Sequence, residues 1–166
     1  MSDRSPPTAP ASDGRGADVP HVEPAEAWRR LQAEPGALLV DVRSDMEFLM
    51  IGHPRGAVNV PWIDAPDWTV NPRFVAEVRK LLLGRPRAGA PGRDGRAIGA
   101  GASGPAPLFL ICRSGNRSVD AARALAAEGV DDAIVVRGGF EGPLDEEHHR
   151  GTIAGWRHAE LPWEQC

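Results

Sequence analysis

The sequence predicts an α/β domain built on a mainly parallel sheet. Three observations carry that reading. First, "ALLVDV" (37–42) is an apolar run interrupted only by Asp41, the pattern of a strand buried on both faces. Second, similar runs recur in "PLFLIC" (107–112) and "DAIVVRGG" (132–139). Third, stretches of helical periodicity lie between these runs, and alternating strands and helices favour parallel crossovers. No internal repeat is visible.

In chain order, residues 1–18 hold Pro, Ser, Gly, Ala and Asp with almost no large apolar side chain, the composition of a disordered tail. The domain is then expected over 19–166. "HVEPAEAWRRLQAEPG" predicts a short strand and a helix opened by Pro24 and stopped before Pro35-Gly36. After the 37–42 strand, Ser44 and Glu47 have capping-box spacing and Gly52 closes the turn. "GAVNVP" (56–61) reads as a second buried strand. "NPRFVAEVRKLLLG" reads as a helix with Asn71 as N-cap, Pro72 in its first position and Val75, Val78, Leu81 and Leu82 on its apolar face. Residues 85–107 are dominated by Gly, Ala, Pro and Arg. With nothing large to pack, they read as an insertion in the domain. "RSVDAARALAAEGV" predicts a helix with Val119, Ala122, Leu125 and Ala126 on one side and Gly129 at its end. The remaining tail shows turns but no clear period.

Length and charge narrow the function. A chain of 166 residues suffices for one domain with a real core. The net charge of −4 argues against nucleic acid, whose binding rests on clustered Lys and Arg, but a local pocket can still hold a small anion. Two cysteines, Cys112 and Cys166, are too few for a disulfide framework and read as thiols in a reducing compartment. The N-terminus lacks the apolar core of a signal peptide, and no run is long enough to cross a bilayer. The expected location is therefore the cytoplasm, with no membrane partner.

The stretch that carries chemistry is "LFLICRSGNRSVDAARALAAEG" (108–129). Cys112 falls where a strand gives way to a helix, and ligands of parallel sheets gather at the carboxyl ends of strands. Backbone N–H groups of 113–118 would curl around the sulfur, and the helix dipole with Arg113 and Arg117 would favour a thiolate. A lone cysteine at a strand end is commonly packing. Its place at the strand-to-helix switch, the conformational freedom of Gly115 and the two flanking arginines point instead to a nucleophilic sulfur in an anion-binding cradle.

These residues resemble the rhodanese-like (thiosulfate sulfurtransferase) domain family. The run from Cys112 through Arg113, Ser114, Gly115, Asn116, Arg117 and Ser118 is similar to its active loop. "LLVDVRSDMEFLMIGHPRGAVNVP" resembles its upstream signature, with Pro54 where the family usually has Ile or Val. "VVRGGFEG" and "GWRHAELPW" resemble its closing segments. The resemblance covers roughly 20–164 apart from the insertion. It implies a five-stranded parallel sheet between helices and a persulfide on Cys112, with residues 113–118 binding the donor. It implies no metal or organic cofactor. The partners implied are a thiosulfate-like donor and a thiol or cyanide acceptor, a protein acceptor included. Phosphatases of the same fold use Cys-x5-Arg to enclose phosphate; Cys112 to Arg117 is Cys-x4-Arg, a count that favours sulfur transfer. The rival readings are a non-catalytic sulfur-carrier or regulatory module docked on a partner protein, and a phosphatase or arsenate reductase.

The resemblance also bears on the other candidates. Asp41, Arg43 and Glu47 are expected to support the loops, with Arg43 and Glu47 paired, and His53 is expected to be structural. His148 and His149 have no third ligand at metal spacing. Cys166 is expected to be an exposed, inert thiol. Trp62 and Trp68 could wall the pocket.

Overall fold

The computed structural model describes residues 19–85 and 105–166. The expected disordered tail and the 86–104 part of the insertion lie outside them. Five strands form the central sheet: β1 (His21–Val22), β2 (Leu38–Asp41), β3 (Val58–Asn59), β4 (Leu108–Ile111) and β5 (Ala133–Val136). Every pairing is parallel, in the order β1-β5-β4-β2-β3. The helices are α1 (Pro24–Ala33), α2 (Phe74–Leu83) and α3 (Asn116–Ala127).

Side-chain alternation along the central strands feeds two cores. Val40, Leu108, Leu110 and Val135 pack with Phe74 and Val78 of α2 and Ala121, Ala122 and Leu125 of α3. Leu39, Phe109, Ile111 and Val136 face the other way, toward Ala27 of α1 and the buried Phe140 and Trp156. This two-sided burial is why Leu38–Val40 and Leu108–Ile111 are apolar at every position rather than at alternate ones.

Three details differ from the sequence expectations. The "GAVNVP" strand is an edge: only Val58–Asn59 pair, with Val40 and Asp41, and both are half-buried. The α2 helix opens later than expected. Asn71 accepts the Arg73 N–H at 2.9 Å, so Asn71 and Pro72 belong to a turn before Phe74. On α3 the buried residues are Ser118, Ala121, Ala122 and Leu125, while Ala126 is exposed. The helix starts within the loop and turns a face that includes Ser118 inward.

The segment after β2 forms a π-helical turn over Glu47–Ile51. The capping box is present, with the Glu47 N–H on the Ser44 hydroxyl at 3.2 Å and the Ser44 N–H on the Glu47 carboxylate at 3.1 Å. The C-terminal tail returns to this region, where Trp163–Glu164 pair antiparallel with His53–Pro54. At the other end of the sheet, the Arg85 guanidinium donates to the carbonyls of Gly36, Ala106 and Pro107, which ties the end of α2 to the residues that lead into β2 and β4. No helix among the described residues is long and apolar enough to cross a membrane.

Candidate active site

Cys112 directly follows β4 at the carboxyl end of the sheet, with β2 and β5 on either side. It is 1 % exposed. Gly115 takes φ 115°, a conformation that a side chain would strain, and so brings its own N–H back to the Cys112 Sγ at 3.1 Å. Helix α3 begins at the next residue. The sulfur thus sits at a helix N-terminus, where unsatisfied N–H groups favour negative charge. In the first turn of α3, the buried Ser118 hydroxyl has no hydrogen-bond partner among the described residues.

The segment after β5 clamps the other side of the loop. The Phe140 N–H donates to the Cys112 carbonyl at 2.8 Å, and the Glu141 N–H to that of Arg113 at 2.9 Å. Gly139 makes this approach: a Cβ there would lie 2.5 Å from the Cys112 carbonyl oxygen, at a positive φ of 63°.

The charges around the loop are paired. Arg117 holds Glu47 through two bonds of 2.7 Å, one to each carboxylate oxygen. Arg113 donates to Glu141 at 2.9 Å and lies 3.5 Å from Glu47. Burial alone would push the Glu47 carboxyl up. The Arg117 guanidinium, by hydrogen bond and by charge, together with Ser44, overcomes this and holds it at about 2. Arg117 is in turn raised, chiefly by its hydrogen bond to Glu47.

The expected pairing of Arg43 with Glu47 is corrected. Arg43 pairs with Asp41, at 2.6 Å from Nη2 and 2.9 Å from Nε, and both side chains are fully buried. Two positions apart on an extended backbone, they share one side of it, and a buried guanidinium needs its counter-charge at hand. Arg43 also donates to the Gly52 carbonyl at 2.7 Å and lies over the Phe140 ring at 4.5 Å. It therefore ties the end of β2 to the π-helical turn and to the clamp. Glu47 is left to the two loop arginines.

His53 is buried, with Nδ1 3.0 Å from the Phe48 carbonyl and its ring stacked on Phe48. Trp62 packs edge-on against Phe74 as part of the core, and Trp68 stands 62 % exposed. Asp145 takes the His149 N–H at 2.7 Å and the Thr152 hydroxyl at 2.7 Å, so it orders the loop that carries His148 and His149. Among the described residues, no group of three or more His, Cys, Asp or Glu could hold a metal ion. Cys166 is exposed and unpaired.

Sequence reasoning missed Glu141 as the partner of Arg113 and Gly139 as the point of contact with the loop. Their only signal was the "GGFEG" run, whose place beside Cys112 follows from β5 lying next to β4.

The comparisons agree with this architecture. The Rhodanese-like domain family matches residues 23–146. The crystal structure of Rv0390 from M. tuberculosis superposes with a TM-score of 0.69 at 36 % identity, covering 90 % of this chain and 100 % of that one. The polysulfide-sulfur transferase of Wolinella succinogenes matches with a TM-score of 0.51 at 18 % identity, covering 89 % of this chain and 80 % of that one. Among curated sequences, an uncharacterized protein of Rickettsia conorii is 25 % identical, over 88 % of this chain and 98 % of its own. The chain belongs to the rhodanese-like domain family.

Proposed function

We propose that the chain is a sulfurtransferase that carries a sulfane sulfur as a persulfide on Cys112. The observation that carries this reading is the 3.1 Å contact of the Cys112 Sγ with the Gly115 N–H at the mouth of α3. With thiosulfate as donor, the Cys112 thiolate attacks the outer sulfur. A new S–S bond forms, the donor S–S bond breaks, and its electron pair leaves with sulfite. One negative charge remains on the terminal sulfur. The loop N–H groups and the unpartnered Ser118 hydroxyl are its stabilising donors. A thiophilic acceptor, cyanide or a thiol, then takes that sulfur and restores the thiolate. Arg113 and Arg117, bound to carboxylates, shape the loop. Arg117 spends both terminal nitrogens on Glu47, which disfavours a phosphatase that must wrap phosphate. The unpaired thiols of Cys112 and Cys166 suit a reducing compartment such as the cytoplasm.

Thiocyanate release from thiosulfate and cyanide tests the reading. Wild type is expected to form it and Cys112→Ser to form none; equal rates would refute the role of Cys112. A second reading, a sulfur carrier docked on a partner protein, is favoured by the 1 % exposure of Cys112, which would shield a stored persulfide. A stable persulfide with little turnover would select it.

A further inference from the structure

We propose that the exposed apolar face beside the Cys112 loop docks a partner protein, through a segment that sets a Lys or Arg side chain next to an apolar one. Folding leaves a group of large apolar side chains in water at the carboxyl end of the sheet. Met46, at the start of the π-helical turn after β2, is 61 % exposed, and Met50, within it, is 66 % exposed. Trp68 and Val70 are exposed on the hairpin of Ile63–Asp64 and Thr69–Val70, which follows β3. The two segments adjoin: the Asp45 N–H donates to the Asp64 carboxylate at 3.3 Å. Single exposed apolar residues are ordinary, but a group of them marks a surface that meets something. Met and Trp suit a protein partner, because a flexible thioether and a broad ring adapt to an uneven surface. The face starts one residue from Glu47, whose carboxylate holds Arg117 beneath the Cys112 loop. A partner seated there lies at the mouth of the candidate site.

Charge selects the occupant. Residues 44–54 and 61–70 contain no Lys or Arg. Asp45, Asp64 and Asp67 line a cavity of about 460 Å³ between the turn and the hairpin. Among the described residues, none of the three forms an ion pair. Arg73, on the same rim, faces Glu77 at 3.7 Å instead. Burial, and then the charge of Asp64, raise the Asp45 carboxyl above its ordinary value, as expected of carboxylates with no counter-charge. They do not converge on a point as metal ligands do, since no group of three or more His, Cys, Asp or Glu among the described residues could hold an ion. A long cationic side chain reaching into the cavity supplies the missing charge, while its apolar neighbour covers Met46, Met50 or Trp68. An anionic lipid surface, a nucleic acid or the same face of a second copy would each set like charge against these carboxylates.

The test is calorimetric titration of the full chain with a synthetic peptide of alternating Lys and Leu pairs, with its Glu/Leu counterpart and with phosphatidylglycerol vesicles. The Lys/Leu peptide is expected to bind and the other two are not, and added salt should weaken that binding. Hydrogen exchange should slow in residues 44–51 and 63–70 when the peptide binds, and stay unchanged in α1. Asp45→Asn with Asp67→Asn should weaken binding by about tenfold or more, the scale of one charge-assisted hydrogen bond, and so should Met46→Ser with Met50→Ser, the scale of buried apolar side chains. All four positions are exposed, so the melting temperature should hold in both variants. Glu146→Gln with Glu147→Gln removes exposed carboxylates from the loop after β5 and should leave the affinity unchanged, which separates this face from a general attraction of an acidic chain for cations. Cys112→Ser should bind as wild type does, so docking and sulfur transfer are judged apart. The proposal is overturned if the Lys/Leu peptide does not bind, if the Glu/Leu peptide or the vesicles bind as well, or if protection falls elsewhere. It is also overturned if the Glu146 and Glu147 changes cost as much as those at Asp45 and Asp67. Dimerisation of the chain that Met46→Ser with Met50→Ser abolishes would give the face to a second copy and overturn it too.

Discussion

Glu47 and Arg117 are 70 residues apart in sequence and close a two-bond ion pair, 2.7 Å at each oxygen, beneath the Cys112 loop. The pair joins the π-helical turn after β2 to the first turn of α3. It is largely shielded from water, so it belongs between an exposed pair, worth little, and a buried one, whose breakage is severe.

Replacing Glu47 with Gln keeps the shape and removes the charge. The expected cost is about 2 kcal/mol, the scale of hydrogen bonds to charged groups, or roughly 4–8 °C in melting temperature for a chain of this size. Sulfur loading should fall as well, because Arg117 would no longer be held. Thermal unfolding together with a loading rate checks both; an unchanged melting temperature would show that the pair is ornamental.

The pH dependence has a defined sign. Glu47 is held at about 2 in the folded chain against an ordinary 4.5, so its stabilising effect is complete above the ordinary value. As pH falls through about 4.5 and on toward about 2, that effect is lost. The gap in melting temperature between wild type and Glu47→Gln should therefore be constant from neutral pH to about 5 and shrink below it. A gap that widens in acid would contradict the pairing.

Gly139→Ala places a methyl group 2.5 Å from the Cys112 carbonyl oxygen at a positive φ. Something must move, and the obstacle is backbone. A loss of about 2 kcal/mol or more, together with loss of loading, is expected. Wild-type stability and rate in this variant would show that the clamp does not set the loop.

Ser118→Ala separates fold from chemistry. The hydroxyl is buried without a partner among the described residues, so its removal should leave the melting temperature unchanged or slightly higher. If it donates to the sulfur, loading falls by about tenfold. A drop in melting temperature with an unchanged rate would assign it a purely structural role.

Much of the sheet was legible because burial on both faces demands an apolar residue at every position, as in Leu38–Val40 and Leu108–Ile111. The edge strand at Val58–Asn59 read as longer than it is, since an edge needs fewer pairings than its apolar neighbours suggest. The Cys112 loop was legible from residue types at close spacing. Its charge pairing was not. Arg43 has a carboxylate two positions back and another four ahead, and only the folded chain shows that Glu47 goes to Arg117. Glu141 reaches Arg113 through the adjacency of β5 and β4, which no local pattern encodes.

The most direct measurement is the intact mass of the protein after thiosulfate or an organic persulfide, followed by mapping of the modified residue. The predicted result is a gain of one sulfur atom at Cys112, removed by cyanide, absent in Cys112→Ser and retained in Cys166→Ser. A sulfur found on Cys166, or no gain from either donor, would contradict the account.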